Sequence, residues 1–354
     1  MKRSVMVAMS GGVDSSVSAL LLREAGFETA GVTLCLGPAD GPGESPRCCG
    51  PQAIDDARRA CARIGIPHHV LDFSVEFDRD VIEYFVRGYA GGRTPNPCVE
   101  CNRRLKFGAL LDRAVALGFD ALATGHYARI EAGPSGPRLK KARDERKDQS
   151  YFLYSIPGAA LGKVLFPVGG LLKEEVRAIA RKAGLPAADR RESQDICFIP
   201  DGDYRRFIER RMEPPQPGLI VDAEGREVGR HRGLPFYTIG QRKSLGGGMG
   251  AARYVISIEP GMNRLVVGER GRLRARGLVA DDPNLLVPSL PPAVFAKVRS
   301  SHGGAACAVE RGADGLRVIF DEPQEAITPG QSVVLYDGDT VLGGAVIRAS
   351  LGEQ

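Results

Sequence analysis

The chain lacks any apolar run near the roughly 18 residues that a membrane-crossing helix needs, which excludes a spanning segment on sequence grounds. It also lacks a leader pattern: MKRSVMVAM sets basic residues before an apolar stretch of only five, too short for a signal peptide. There is no internal repeat and no low-complexity tract, so a globular chain is expected throughout. Strong charge of one sign is missing too. The balance of 48 Lys and Arg against 43 Asp and Glu gives +5, which permits a polyanionic partner without requiring one. These absences predict a cytoplasmic protein, in which eight cysteines (Cys35, Cys48, Cys49, Cys61, Cys98, Cys101, Cys197 and Cys307) stay mostly reduced. At 354 residues, two or three domains are expected.

What is present begins at residues 10–16, SGGVDSS. An apolar run (4–9) precedes it and an amphipathic one (17–25) follows, closed by Gly26, so the order reads strand, glycine turn, helix. Adjacent glycines free the backbone to bring N–H groups close to a ligand, and the helix N-terminus adds its positive dipole end. The loop is thus suited to an anion such as phosphate. Ser10, Ser15 and Ser16 offer further donors, and Asp14 is suited to hold a Mg²⁺ that bridges phosphates. No lysine follows the glycines, which excludes the GxxxxGK[ST] loop of kinases and GTPases.

The fold class expected is α/β: a doubly wound parallel-sheet nucleotide domain, then a small central domain, then a C-terminal β-barrel. Strands are read at 28–34, 68–73 and 120–124, and helices at 54–64, 76–89, 105–117 and 173–183. Strands separated by such helices imply a parallel sheet whose ligands lie beyond the strands' carboxyl ends. The glycine loop, the tip after Leu34 and Gly125–His126 should therefore converge on one crevice. Residues 37–51 read as a Gly/Pro-rich loop carrying Cys48 and Cys49. Composition changes after Cys197, with a connector at 213–218, hairpin signals at 224–225 and glycines at 246–250. From about residue 253 the pattern is short β runs at 254–258, 265–267, 293–298, 305–309, 316–320, 332–336 and 341–347. The domains expected are 1–200, 201–252 and 253–354.

The second informative stretch is TPNPCVECNRRLKF, residues 94–107. Pro95 and Pro97 are read as excluding helix, which sets Cys98 and Cys101 at the entrance of the helix from Leu105. That position, beside Arg103 and Arg104, is expected to lower the thiol pKa values. With Cys197 in SQDICFIP (193–200), three thiols are available for a redox pair with a third thiol, a sulfur relay, or three ligands of zinc or an iron–sulfur cluster.

SGGVDSS, GRTPNPCVECN, ATGHYAR, KDQSYFLY, SQDICFI, YTIGQRK and TPGQSVVLY follow in that order. Together they resemble the tRNA-specific 2-thiouridylase family, ATP-pyrophosphatase-type enzymes that make 2-thiouridine at the tRNA wobble position. The resemblance covers nearly the whole chain. It implies ATP held by Ala8, Met9, Ser10, Gly11, Gly12, Val13, Asp14 and Ser15 with Leu34 and Gly125 nearby. It implies adenylation of uridine O2, then sulfur delivery from a persulfide on Cys197, with Cys101 as the partner thiol that releases sulfide or resolves a disulfide. Asn96, Pro97 and Cys98 would line the pocket for a flipped base, and His126, Lys147, Asp148, Gln149, Arg299, Ser300 and Gln331 would touch tRNA. The implied partners are the tRNA anticodon arm and a sulfur donor such as a cysteine desulfurase or sulfur-carrier protein; the implied cofactors are ATP and Mg²⁺. Many family members have aspartate where this chain has Cys98. Three thiols leave a [4Fe–4S] cluster on Cys98, Cys101 and Cys197 as the alternative to the persulfide relay. Two rivals are a small-molecule amide ligase using the same loop, and a non-enzymatic RNA-binding module. The CxxC with its distant cysteine, and the lack of a glutaminase-like domain, count against the first; the intact SGGVDSS counts against the second.

Overall fold

A computed structural model describes residues 3–37, 50–134, 136–186, 188, 196–199, 201–243, 245, 253–312 and 315–352. Cys48 and Cys49, residues 193–195 and the glycines at 246–250 lie outside the described residues. The chain divides into two compact units. The first takes Met1–Val81, Cys98–Asp203 and Asp339–Val341; the second takes Ile82–Pro97, Tyr204–Gly338 and Leu342–Gln354.

The first unit is built on a parallel sheet. β1 (Ser4–Ala8) lies between β2 (Glu28–Cys35) and β4 (Ala121–Ala123), with β3 (His68–Asp72) beyond β2 and Val164–Leu165 beyond β4. The near-continuous apolar run of β1 suits a strand buried on both faces. Val5 and Val7 pack with Ala19 and Leu22 of α1 (Val13–Glu24) and with Ala57, Ala60 and Cys61 of α2 (Pro51–Ile64). α2 starts on a proline at its first turn and stops at Gly65 in the left-handed region, φ 76°. Strand order reverses at β1, because β2 and β3 build outward on one side and β4 on the other. The loops after β1 and β4 therefore flank the switch point, where ligands of such sheets lie.

Two helical readings need correction. The chain at 97–116 is helical from Pro97, which is tolerated in a first turn because its missing N–H has no partner to lose there. Cys98 lies in that turn, and Cys101 opens a π-helical segment, Cys101–Leu110, that continues into Leu111–Ala116. The helix expected over 76–89 is three segments, Ser74–Phe77, π-helical Asp78–Ile82 and Glu83–Ala90. An antiparallel hairpin that the sequence reading missed, Ala128–Gly133 with Gly136–Lys141, also belongs to this unit. It is tied to Asp339, whose carbonyl accepts from the Lys141 amide (2.7 Å) and whose carboxylate meets Arg129 (2.7 Å).

In the second unit, Phe85 and Tyr89 of Glu83–Ala90 pack on Tyr204 and Phe207 of Tyr204–Glu209, with Tyr89 and Tyr204 stacked at 4.8 Å. A four-stranded sheet runs in the order Tyr254–Glu259, Arg264–Gly268, Gly218–Val221, Glu227–His231. The first two of these strands were expected in the barrel. Arg264–Gly268 pairs instead with Gly218–Val221 and carries Tyr254–Glu259 with it as its hairpin partner; the register with Gly218–Val221 is non-local and leaves no local signal.

The barrel begins at Arg274. Its strands run Arg274–Leu285, Gly315–Glu325, Ala305–Gly312, Val294–Lys297, Ser332–Asp337 and Thr340–Leu351, and the last pairs back to the first. Leu278, Val318, Phe320, Val333 and Leu335 fill it. The closing seam passes Gly343 at φ 137°, where a Cβ would lie 2.3 Å from the Asn284 carbonyl oxygen. Gly343→Ala is expected to cost about 1–3 kcal/mol from backbone strain alone, read as a lowered unfolding midpoint in calorimetry. An unchanged midpoint would show that the seam carries no such strain.

Candidate active site

The glycine loop is built as its residues require. Gly11 sits at φ 73°, and a Cβ there would meet the Ala53 carbonyl oxygen at 2.4 Å, so the turn lies against the start of α2 and tolerates no side chain. Gly12 is the extended N-cap of α1, and no side chain caps the helix. Its leading N–H groups are thus left for an anion. Ala8 ends β1, and the Met9 amide bonds the Val32 carbonyl (2.7 Å), two residues before Leu34 on the neighbouring strand. Gly125 packs directly on the loop: a Cβ on it would stand 2.6 Å from the Ser15 nitrogen and 2.8 Å from the Asp14 carbonyl carbon.

Two donors expected at the loop are turned inward. Ser15 and Ser16 hydroxyls both donate to the Gly12 carbonyl (3.1 and 2.9 Å), and Ser16 is fully buried. These hydroxyls hold the turn closed, leaving Ser10 as the exposed hydroxyl. Asp14 is committed as well. Lys173 Nζ donates to both its carboxylate oxygens (2.7 and 2.8 Å), and the Tyr127 hydroxyl donates to one (2.8 Å). The expectation that Asp14 holds Mg²⁺ is corrected accordingly, since a paired lysine neutralises the charge a cation would need. Lys173 is 7% exposed and stands first in the helix Lys173–Lys182. Sequence reading missed it because 159 residues separate it from Asp14. Lys173 and Asp14 together form a nearly neutral pair, so the positive potential of the loop comes from its amides and the helix N-terminus.

Cys98, Cys101 and Cys197 all lie in the first unit, and none is in a disulfide among the described residues. They are electrostatic neighbours. Cys98 feels Cys197 and Cys101, and Cys101 feels Lys106 and Cys197. The expectation of lowered thiol pKa values fails. Cys98 keeps surface open to solvent but stands in a recess whose mass desolvates it, and the neighbouring thiols add to the effect; its pKa is pushed up to about 12. Burial pushes Cys101 up to about 11. The arginines meant to oppose this are engaged elsewhere: Arg104 bonds the buried Glu100 carboxylate at 2.9 Å and Arg103 lies 3.9 Å from it. Among the described residues no three Cys, His, Asp or Glu side chains are grouped as metal ligands. The three thiols interact electrostatically, but among the described residues they are not arranged as a metal-ligand set.

The remaining candidates divide. His126 is a half-buried ring bonded through Nδ1 to Thr124 Oγ1 (2.7 Å) and through Nε2 to Lys106 (3.3 Å), which places it in the wall of the site. Asp148 accepts from the Ala142 amide and the Ser150 hydroxyl, and Gln149 accepts from the Tyr127 amide, so both brace the loop that carries half-buried Lys147. In the second unit, Gln331 donates to the Thr94 carbonyl (2.8 Å), close in sequence to Asn96 and Pro97. There too Arg299 donates to the Glu325 carbonyl (3.0 Å), beside exposed Ser300.

Residues 3–201 match the model of the tRNA methyl transferase HUP domain, residues 205–269 that of the tRNA methyl transferase PRC-barrel domain, and residues 275–347 that of the aminomethyltransferase beta-barrel domain. The chain is 51% identical over 351 residues to the tRNA-specific 2-thiouridylase MnmA 1 of Syntrophus aciditrophicus, covering 99% of this chain and 94% of that one. It is 51% identical over 355 residues to the tRNA-specific 2-thiouridylase MnmA of Chloroflexus aurantiacus, covering 97% and 98%. Against the enzyme of the same name from Carboxydothermus hydrogenoformans it is 48% identical over 362 residues, with 99% of both chains covered.

Proposed function

The chain belongs to the tRNA-specific 2-thiouridylase family, and from that premise we propose how its own residues thiolate the wobble uridine of tRNA. ATP-dependent thiolation of a tRNA uridine is the activity of the family. The observation that carries the proposal is that one compact unit holds both the anion loop and three interacting thiols. ATP lies with its phosphates on the N–H groups of Gly11 to Ser15, against Gly125 and beside Lys173. Mg²⁺ arrives as the counterion of ATP and needs no carboxylate of the loop.

Uridine O2 attacks the α-phosphorus and pyrophosphate leaves, its growing charge met by the loop amides. The base has lost its N3 proton and now carries AMP as a good leaving group. A donor persulfide has already passed its outer sulfur to Cys197, leaving the donor as a thiol. The terminal sulfur of the Cys197 persulfide attacks C2, and AMP departs with O2. Cys101, as thiolate, then attacks the Cys197 sulfur. The S–S bond to the base breaks, a Cys101–Cys197 disulfide forms, and 2-thiouridine leaves as the anion and regains its N3 proton. An external dithiol supplies the two electrons that reset the pair. In this reading Cys98 and Lys147 of the first unit meet the target base and its RNA, and Asn96, Pro97, Arg299 and Ser300 are the RNA contacts of the second. The thiol relay is preferred over the cluster because, among the described residues, no three donors are grouped to hold a metal.

The test is pyrophosphate release with and without bulk tRNA, on protein purified anaerobically and assayed for iron. Release that requires tRNA, from colourless iron-free protein that forms 2-thiouridine, is the expected result. Release without RNA that continues with a small amine would make the chain an amide ligase, and activity proportional to bound iron would remove the relay.

A further inference from the structure

Lys106 lies five residues after Cys101 within the π-helical segment Cys101–Leu110. In an α-helix, at 3.6 residues per turn, a residue five positions on is turned about 140° away. The wider i→i+5 winding of a π-helix instead brings it back toward the face of the residue five before it, and such segments occur often at functional sites. The Lys106 ammonium donates to Asn102 Oδ1 (3.0 Å) and His126 Nε2 (3.3 Å). An ammonium has donors only, so His126 Nε2 must accept, and the ring proton sits on Nδ1, donated to Thr124 Oγ1. Burial and Lys106 together hold the imidazole well below its usual range, so it is neutral. Asn102 is fixed in turn by donating to the Phe152 carbonyl (2.9 Å). The lysine is therefore clamped by two neutral acceptors, which leave its charge intact and one N–H in hand.

Among the described residues the charges nearest Cys101 in the helix are paired: Glu100 is bonded by Arg104 and lies 3.9 Å from Arg103. Among the described residues Lys106 is the cation that favours the thiolate of both Cys98 and Cys101.

We propose that Lys106 is a positioning residue for sulfur transfer, its clamped ammonium stabilising the Cys101 thiolate that attacks the Cys197 sulfur. This rests on the thiol relay proposed above. The step moves no proton from lysine: the Cys101 proton goes to solvent, and the ammonium compensates the charge left behind.

The experiment compares wild type, Lys106→Met and Lys106→Arg. The first readout is the rate of Cys101 alkylation by iodoacetamide from pH 7 to 10, resolved by mass spectrometry; the second is tRNA-dependent pyrophosphate release against 2-thiouridine formation. Lys106→Met is expected to slow alkylation about tenfold at pH 8 and move its pH profile upward, with 2-thiouridine falling and pyrophosphate release kept. Lys106→Arg should restore alkylation to within about threefold. His126→Asn, which loosens the clamp while keeping the lysine, should fall between and covers the case of a misfolded methionine variant. Alkylation unchanged in Lys106→Met overturns the proposal. Slowed alkylation with normal 2-thiouridine overturns it as well, because the thiolate would then not need the lysine for sulfur transfer; 2-thiouridine formed at the wild-type rate by Cys101→Ser would instead refute the relay, so the two failures are distinct.

Discussion

Protein carrying Cys197→Ser will release pyrophosphate from ATP in the presence of tRNA at the wild-type rate and form no 2-thiouridine. The two halves of the reaction use different chemistry. Adenylation depends on amide dipoles after β1, in a turn that the Lys173–Asp14 pair holds, and the substitution touches none of these. Sulfur transfer depends on an atom that can carry a second sulfur, and a hydroxyl cannot. Loss of a covalent nucleophile is expected to lower thiolation by about 10³-fold or more. Cys197 is only half-buried, so the near-isosteric serine should leave folding intact. Nucleoside analysis of the tRNA by mass spectrometry, beside a pyrophosphate assay on the same samples, reads both halves. Wild-type levels of 2-thiouridine would end the assignment of Cys197 as the persulfide carrier.

The second large effect is expected from Gly125→Ala. The added methyl has nowhere to go, because its neighbours are backbone atoms of the anion loop, the Ser15 nitrogen at 2.6 Å and the Asp14 carbonyl carbon at 2.8 Å. Real Cβ atoms do not approach backbone so closely, so either the loop or the segment after β4 must shift. A shift of the Ser15 amide misaims a donor at the phosphates, and one displaced donor of this kind costs about 10²–10³-fold. The expected result is a fall of that order in kcat/KM for ATP, with far-ultraviolet circular dichroism unchanged. Gly125→Ala with normal ATP kinetics would show that the phosphates bind elsewhere.

Much of the site was legible because its signals are local. A strand, two glycines and a helix start within one short stretch, and the dipole and amide argument needs nothing from the rest of the chain. The short β runs of the barrel were legible for the same reason, as was the hairpin turn near Gly225. What was not legible depends on distant pairing or on helix winding. Lys173 reaches Asp14 only once the sheet is built. The strands at 254–268 join Gly218–Val221 through a register that no local pattern encodes. Lys106 would fall off the Cys101 face in an α-helix, and the apolar spacing of a π-helix is not distinct from that of an α-helix over ten residues. The error over thiol pKa values is different in kind, since a signal was available. Glu100 stands three and four residues before Arg103 and Arg104, the spacing at which helical ion pairs form, so the arginines' charge was already claimed. Ser16 was misjudged because a hydroxyl near a loop is as useful for closing the turn as for holding a ligand.

The segment Asp339–Val341 has a consequence for how the chain is made. It belongs to the first unit, where Asp339 takes the Lys141 amide and the Arg129 guanidinium, and Thr340 pairs with Lys140. During synthesis the hairpin Ala128–Lys141 is therefore complete in sequence about two hundred residues before its partner exists. Domains generally fold as units, N-terminal first, but this one must wait for almost the last strand. A chain stopped before residue 339 would carry every residue of the anion loop and all three thiols, yet leave Arg129 and Lys140 with Glu131 alone, lacking the Asp339 carboxylate and the Lys141 amide's acceptor. The enzyme's amino-terminal chemistry is in this sense finished by its carboxyl end.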